Sequence, residues 1–215
     1  AKNDEIDSRI DLTDEEKIVA KLDAKAKADA AKEAIDKATT DAEVNQAQST
    51  GTIELKAIDP QPVAKTAAKQ AIDEALKAKT AEIDARTDLT DEEKTAAKAE
   101  AKAKADEAKV ATDNATTNAE VAQSKSTGTT EVNSINPAAV AKPEAKKSID
   151  EVLKAKTDEI DSRTDLTDEE KTAAKAEAKA KADAAKQAID NATTNSEVDQ
   201  AKSTGIEEVN SVNPI

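Results

Sequence analysis

The stretch AQSKSTGTTEVNSINP, Ala122–Pro137, decides how many helices each part of this chain contains. It holds Gly128, one of only three glycines in 215 residues. A glycine reads either as the end of a short helix or as a small residue on a helix face. Val121, Ser124, Gly128, Val132 and Ile135 advance in steps of 3, 4, 4 and 3, which is one unbroken helical face. The spacing predicts a continuous helix through Gly128, ended by Asn136-Pro137 because proline disfavours helix at the residue before it. Glycine costs a helix about 1 kcal/mol against alanine. Close packing on a face of small residues could offset that.

The same words recur. AQSTGTIELKAIDP carries Gly51 and AKSTGIEEVNSVNP carries Gly205, so the three glycines are each 77 residues apart. Leu12, Leu89 and Leu166 keep that spacing, as do Pro60, Pro137 and Pro214. The chain is a tandem array without insertions, and roughly three-quarters of the residues in the last two units are identical. The expected divisions are 1–60, a partial repeat with a truncated first helix, then 61–137 and 138–215, both complete. Ala1 aligns with Ala78 and Ala155, so the array is expected to start inside a repeat of a longer one.

Within the second unit, a first helix is expected from about Lys65 to Arg86, with Ala68, Ile72, Ala75, Leu76 and Ile83 on one face. Pro143 aligns with Thr66 and marks the expected first helical position, where a missing N–H costs nothing. The second helix opens with LTDEEK, present three times unchanged. Thr90 and Glu93 fit a capping box, and Asp91, Glu92 and Glu93 suit the positive end of the helix dipole. TAAKAEAKAKADEAK follows, made of strong helix formers. Its inner face reads Ala97, Ala101, Ala105, Ala108, Thr112 and Ala115, with Ile35 and Ile189 where this unit has Thr112. The third helix opens with Thr117 and Glu120, a second capping box repeated at Thr40 with Glu43 and Thr194 with Glu197. The fold class is therefore all-α: tandem three-helix bundles. With an odd number of antiparallel helices the chain leaves each bundle at the end opposite its entry, so the bundles are expected to stack end to end into a rod. The truncated first unit is expected to be the weakest. Ile18, Val19 and Leu22, where the other units hold Thr, Ala and Ala, are expected to compensate in part.

Chemistry is scarce. His, Cys, Tyr, Trp, Phe and Met are all absent, and no carboxylate, lysine or hydroxyl stands in a catalytic constellation. No enzyme activity, cofactor or metal is expected, and no catalytic, cofactor-binding or metal-binding residue is assigned. Asp88, Asp91, Glu92 and Glu93 invite a calcium reading but fit a helix N-terminus better. Asn114-Ala115-Thr116 and Asn191-Ala192-Thr193 match the glycosylation pattern by coincidence with a helix end. Net charge is −14, without basic clusters or stacking aromatics, which argues against nucleic acid. No apolar run reaches membrane-spanning length. The lone arginines Arg9, Arg86 and Arg163 are expected to serve the carbonyls at the end of the first helix.

The combination AIDEALKAKTAEIDARTDLTDEEKTAAKAEA, DNATTNAEV and KSTGTTEVNSINP at fixed distances resembles a known family. These are the helical repeats of unknown function carried in long runs by wall-anchored surface adhesins of Gram-positive bacteria, including extracellular-matrix-binding-protein homologues. The resemblance covers essentially the whole chain. It implies an extracellular, cell-wall-anchored parent whose repeats form a stalk lifting an adhesive region from the wall. A monomer contacting mainly its own neighbouring repeats is expected. The alternative is a binding module for a host matrix or plasma protein. Binding hot spots favour Trp, Tyr and Arg, which are absent or rare here.

Overall fold

A computed structural model describes residues 1–214. Among these residues the chain forms nine helices and no strand: α1 Lys2–Asp7, α2 Asp14–Lys37, α3 Asp41–Lys56, α4 Val63–Asp84, α5 Asp91–Asn114, α6 Asn118–Ser134, α7 Ala141–Ser162, α8 Asp168–Asn191 and α9 Asn195–Asn210. The architecture is all-α, with three-helix bundles in tandem. Each expected capping box forms. Thr13, Thr40, Thr167 and Thr194 accept from the glutamate N–H three residues on, and each glutamate carboxylate returns to the cap N–H. Thr90 with Glu93, and Thr117 with Glu120, do the same.

Contacts divide the chain into two compact units. One comprises Ala1–Ala78 with Ala101–Ser134; the other comprises Lys79–Glu100 with the chain from Ile135 on. In the second unit, α7, α8 and α9 pack pairwise. Their core joins Ile149, Ala185, Ile189, Val198 and Val209, all buried. A smaller cluster of Ile160, Ala174, Ala178 and Val212 closes the other end of that bundle. In the first unit, Ile72, Ala105, Ala108 and Val132 form one cluster, and Ile6, Ala20, Ala24 and Ile58 another. About half of the buried apolar residues are alanines, so the helix axes must approach closely for any core to exist.

The glycines make that approach possible. Helix α6 runs unbroken through Gly128, and no glycine has positive φ. A Cβ added to Gly128 would fall within 3.0 Å of the Ala108 Cβ. Gly51 faces Ala31, and Gly205 faces Ala185, in the same way. The turn reading of the STG segment is thereby excluded.

Three expectations need correction. The first helix starts at Val63 in α4 and at Ala141 in α7. Pro143 is therefore in the first turn of α7 but is not its first residue; the initial N–H groups of a helix lack intrahelical acceptors, so the ring is tolerated there. The arginines do not serve helix carbonyls as expected. Arg86 forms a two-pronged pair with Asp88, with Nε and NH2 donating to the two carboxylate oxygens at 2.7 and 2.6 Å. Arg9 with Asp11, and Arg163 with Asp165, repeat it. A rigid guanidinium fork matches a carboxylate two residues on better than scattered carbonyls. Finally, Ile18, Val19 and Leu22 do not fill the first bundle. They are 55, 67 and 62% exposed, because they lie on the outward face of α2.

Candidate functional site

The most elaborate polar structure in the chain lies where one repeat meets the next, and it is built twice. The first copy joins the LTDEEK segment at Leu12–Lys17 to the starts of α4 and α6; the second joins Leu89–Lys94 to the starts of α7 and α9. Each copy sits inside one compact unit. Leu12 and Leu89 are 2% exposed, and Thr13 and Thr90 are fully buried.

The capping glutamate does two jobs. Glu16 Oε2 accepts from the N–H of Thr13, its own cap, while Oε1 accepts from the N–H of Ala64 at the start of α4. Glu93 does the same with Thr90, and its Oε1 accepts from Val140 and Ala141 at the start of α7. One carboxylate thus satisfies orphan donors of two helices in successive repeats. Burial pushes the Glu93 carboxyl up, but the N–H groups of Ala141, Thr90 and Val140 together outweigh it and hold its pKa below the usual glutamate value. The preceding glutamate reaches the third helix. Glu15 Oε2 accepts from the Asn118 N–H and Glu92 Oε2 from the Asn195 N–H, both at 2.9 Å. In return the Asp14 N–H donates to the Thr116 carbonyl and the Asp91 N–H to the Thr193 carbonyl, both at 2.8 Å.

A buried lysine completes each junction. Lys65 Nζ donates to the carbonyls of Ile10 and Asp113, at 2.9 and 2.8 Å. Lys142 Nζ donates to those of Thr87 and Asp190 at the same two distances. Asp113 and Asp190 lie in the last turns of α5 and α8, where a cation suits the negative end of the helix dipole. Each lysine therefore ties the loop of one repeat to the second helix of the next. The Arg9–Asp11 and Arg86–Asp88 pairs brace the same loops. Those aspartates are held below the usual carboxylate range, chiefly by their arginines.

Of the four acids that invite a calcium reading, three are engaged in structural bonds: Asp88 with Arg86, Glu92 with Asn195, and Glu93 with Thr90 and α7. Among the described residues no group of three or more Asp or Glu is arranged to hold a metal ion, and no helix is long and apolar enough to cross a membrane. The sequence reading missed the lysines and Asn118 with Asn195. A signal existed for the former: Lys65 lies three residues before Ala68, on the apolar stripe of α4, and Lys142 holds that place in α7.

No solved structure matches this chain. It is 33% identical over 192 residues to the extracellular matrix-binding protein EbhA of Staphylococcus aureus strain Mu3, and equally so to the extracellular matrix-binding protein ebh of strain USA300. The match covers 88% of the chain but only 3% and 2% of those relatives. The profile of DUF1542, a domain of unknown function, matches residues 1–63, 64–140 and 141–215 in succession. The chain therefore belongs to the DUF1542 family and consists of tandem copies of that domain.

Proposed function

We propose that these repeats, divided at about 60/61 and 137/138, are spacer elements of a bacterial surface adhesin. They hold a distal adhesive region away from the cell wall and catalyse nothing. The observation that carries this reading is the junction, whose two lysine bonds recur 77 residues apart at the same distances. A spacer needs the same stiff joint many times and needs no unique site. The carboxylate and lysine that make the joint belong to the repeat itself, so any number of copies could be added without new parts. The matrix-binding names of the Staphylococcus aureus relatives support a surface location outside the cell, anchored through parts of the parent protein other than these repeats. A net charge of −14 favours solubility and discourages lateral association.

Small-angle scattering of the whole chain tests this against Lys65→Ala/Lys142→Ala. The wild type should give one narrow distance distribution whose maximum is that of a stiff rod. The variant should keep its helical circular dichroism but give a broader distribution with a shorter mean. Identical scattering from both proteins, or a wild type that already scatters as freely hinged bundles, rules out the stiff-spacer reading.

A further inference from the structure

The first repeat departs from the other two on its solvent face. Ile18, Val19 and Leu22 stand where the second repeat has Thr95, Ala96 and Ala99, and the third has Thr172, Ala173 and Ala176. Thr95, Ala96 and Ala99 are also exposed in a bundle with a full-length first helix. The three large side chains of α2 therefore do not replace any missing core. Leu22 lies one turn beyond both Ile18 and Val19, at i, i+4 and i, i+3, so the three form a continuous patch. Ile10, Ile53, Val63 and Val110 are also more than half exposed, but three bulky aliphatics gathered on one helix face mark an interaction surface.

The patch opens into a groove. Val19 lines one wall of a groove of about 720 Å³, together with Ile58 and Pro60 from the segment after α3. Four carboxylates, those of Glu15, Glu16, Asp23 and Asp59, line it with a single lysine, Lys27. Asp23 pairs with Lys27, and Asp59 with Arg9. Glu15 and Glu16 accept only backbone N–H groups, and among the described residues neither pairs with a cation. The groove thus keeps negative charge beside an apolar wall. An apolar stripe flanked by cations is the complementary shape.

We infer that the Ile18–Val19–Leu22 face and its acidic groove form a docking site for a basic amphipathic helix of a partner protein, present on this repeat and absent from the other two. The apolar face of such a helix would cover Val19 and Leu22, and its lysines or arginines would meet Glu15 and Glu16. This role shares Glu15 and Glu16 with the joint, so its test leaves those two residues in place and changes only the apolar side chains and Asp23 with Asp59.

The test uses the full chain and a synthetic amphipathic leucine–lysine peptide carrying one tryptophan. The chain has no aromatic residue, so tryptophan emission reports the peptide alone. One peptide should bind per chain. Ile18→Thr/Val19→Ala/Leu22→Ala, which installs the residues of the other repeats, should weaken binding about tenfold or more without altering the helical spectrum. Asp23→Asn/Asp59→Asn should weaken it severalfold. A leucine–glutamate peptide of the same pattern should not bind. Unchanged affinity in the triple variant, equal binding of the acidic peptide, or three peptides per chain would each overturn the proposal. So would sedimentation showing that the wild type dimerises through the patch while the triple variant does not, since a second copy would then be the occupant.

Discussion

The first and third repeats are complementary halves of one experiment. In the first, α1 has six residues where α4 and α7 have 22. Ile35 is only half-buried there, while its counterpart Ile189 in the third repeat is fully buried. Yet the junction of the first repeat is complete, and Leu12 is buried. The third repeat has the full core, but among the described residues no first helix packs on its LTDEEK segment as α4 and α7 do on the other two. Leu166 is only half-buried and Thr167 is exposed. Glu170 turns both its capping bonds onto Thr167, which donates from N–H and Oγ1. The same six residues therefore have different environments, and the difference separates what the core holds from what the joint holds. Burial of the LTDEEK leucine depends on the neighbour, not on the completeness of its own bundle.

The largest expected effect follows directly. Leu89→Ala should destabilise its surroundings by about 2–5 kcal/mol, the usual range for emptying a buried leucine site. Leu166→Ala should cost less than about 1 kcal/mol, since little burial is lost. Hydrogen exchange of α5 and α8 would report the two separately. Equal losses would mean that Leu89 is held by its own bundle and that the joint contributes nothing to it.

The glycines should come next. A Cβ at Gly205 would meet Ala185 and also Ile149 Cδ1 at 2.9 Å, whereas one at Gly51 would meet Ala31 alone. Alanine at either position crowds the facing alanine despite its better helix propensity. Gly205→Ala should therefore cost about 1–3 kcal/mol by overpacking, and Gly51→Ala less, because only Ala31 would have to move. Leucine should be worse than alanine at Gly205. A stabilised Gly205→Ala protein would show that the helices are looser than their glycine–alanine contact implies.

Much of this was readable in the chain beforehand, and the reason is locality. Capping boxes need residues three apart, and the glycine face needs only a 3-4-4-3 count, so Thr90, Glu93 and Gly128 were placed without knowing any neighbour. Lys65 and Lys142 were not, because their acceptors come from a loop some 55 residues earlier and a helix end 48 later. A lysine on an apolar stripe looks like a defect until those carbonyls converge on it. Ile18, Val19 and Leu22 failed for the opposite reason. Their apolarity suggested burial, and only the register of α2 shows that they face solvent.

A smaller effect lies in the pH dependence of the Glu93 and Glu170 caps. The Glu93 pKa is lowered despite burial, through bonds from two repeats; that of Glu170 is lowered by Thr167 alone. A carboxylate whose folded pKa lies below its unfolded one adds stability at pH values above the unfolded pKa. That contribution disappears as pH falls through the folded value. Acidification from neutral should thus leave both caps intact until below the ordinary glutamate range of about 4.3–4.5. The Val140 and Ala141 amide shifts should then move with Glu93, and Glu93→Gln should abolish that titration. Amide shifts that titrate unchanged in Glu93→Gln would remove the carboxylate from the joint.

The subtlest contrast lies between equivalent positions of the second and third cores. Thr112 is fully buried, and its Oγ1 donates to the Ala108 carbonyl while sharing a 2.9 Å hydrogen bond with Ser124 Oγ. The third repeat places Ile189 and Ala201 at these positions, and the first places Ile35 and Ala47. The two combinations contain the same number of side-chain heavy atoms, so a larger residue on one helix is matched by a smaller one on the other. Ser124→Ala alone removes a hydroxyl partner and leaves a small gap; Thr112→Ile alone presses extra carbon against Ser124. Each should cost about 1 kcal/mol. Together they recreate the pair of the third repeat, and the double variant should match or exceed the wild type, because replacing a well-satisfied polar pair with apolar groups of the same shape is nearly neutral or better. The coupling energy should therefore fall in the range of about 0.5–3 kcal/mol typical of residues in contact, measured by exchange protection of α5 and α6. Additive losses would mean that the two positions do not share space, and that the threonine–serine pair is not a substitute for the isoleucine–alanine one.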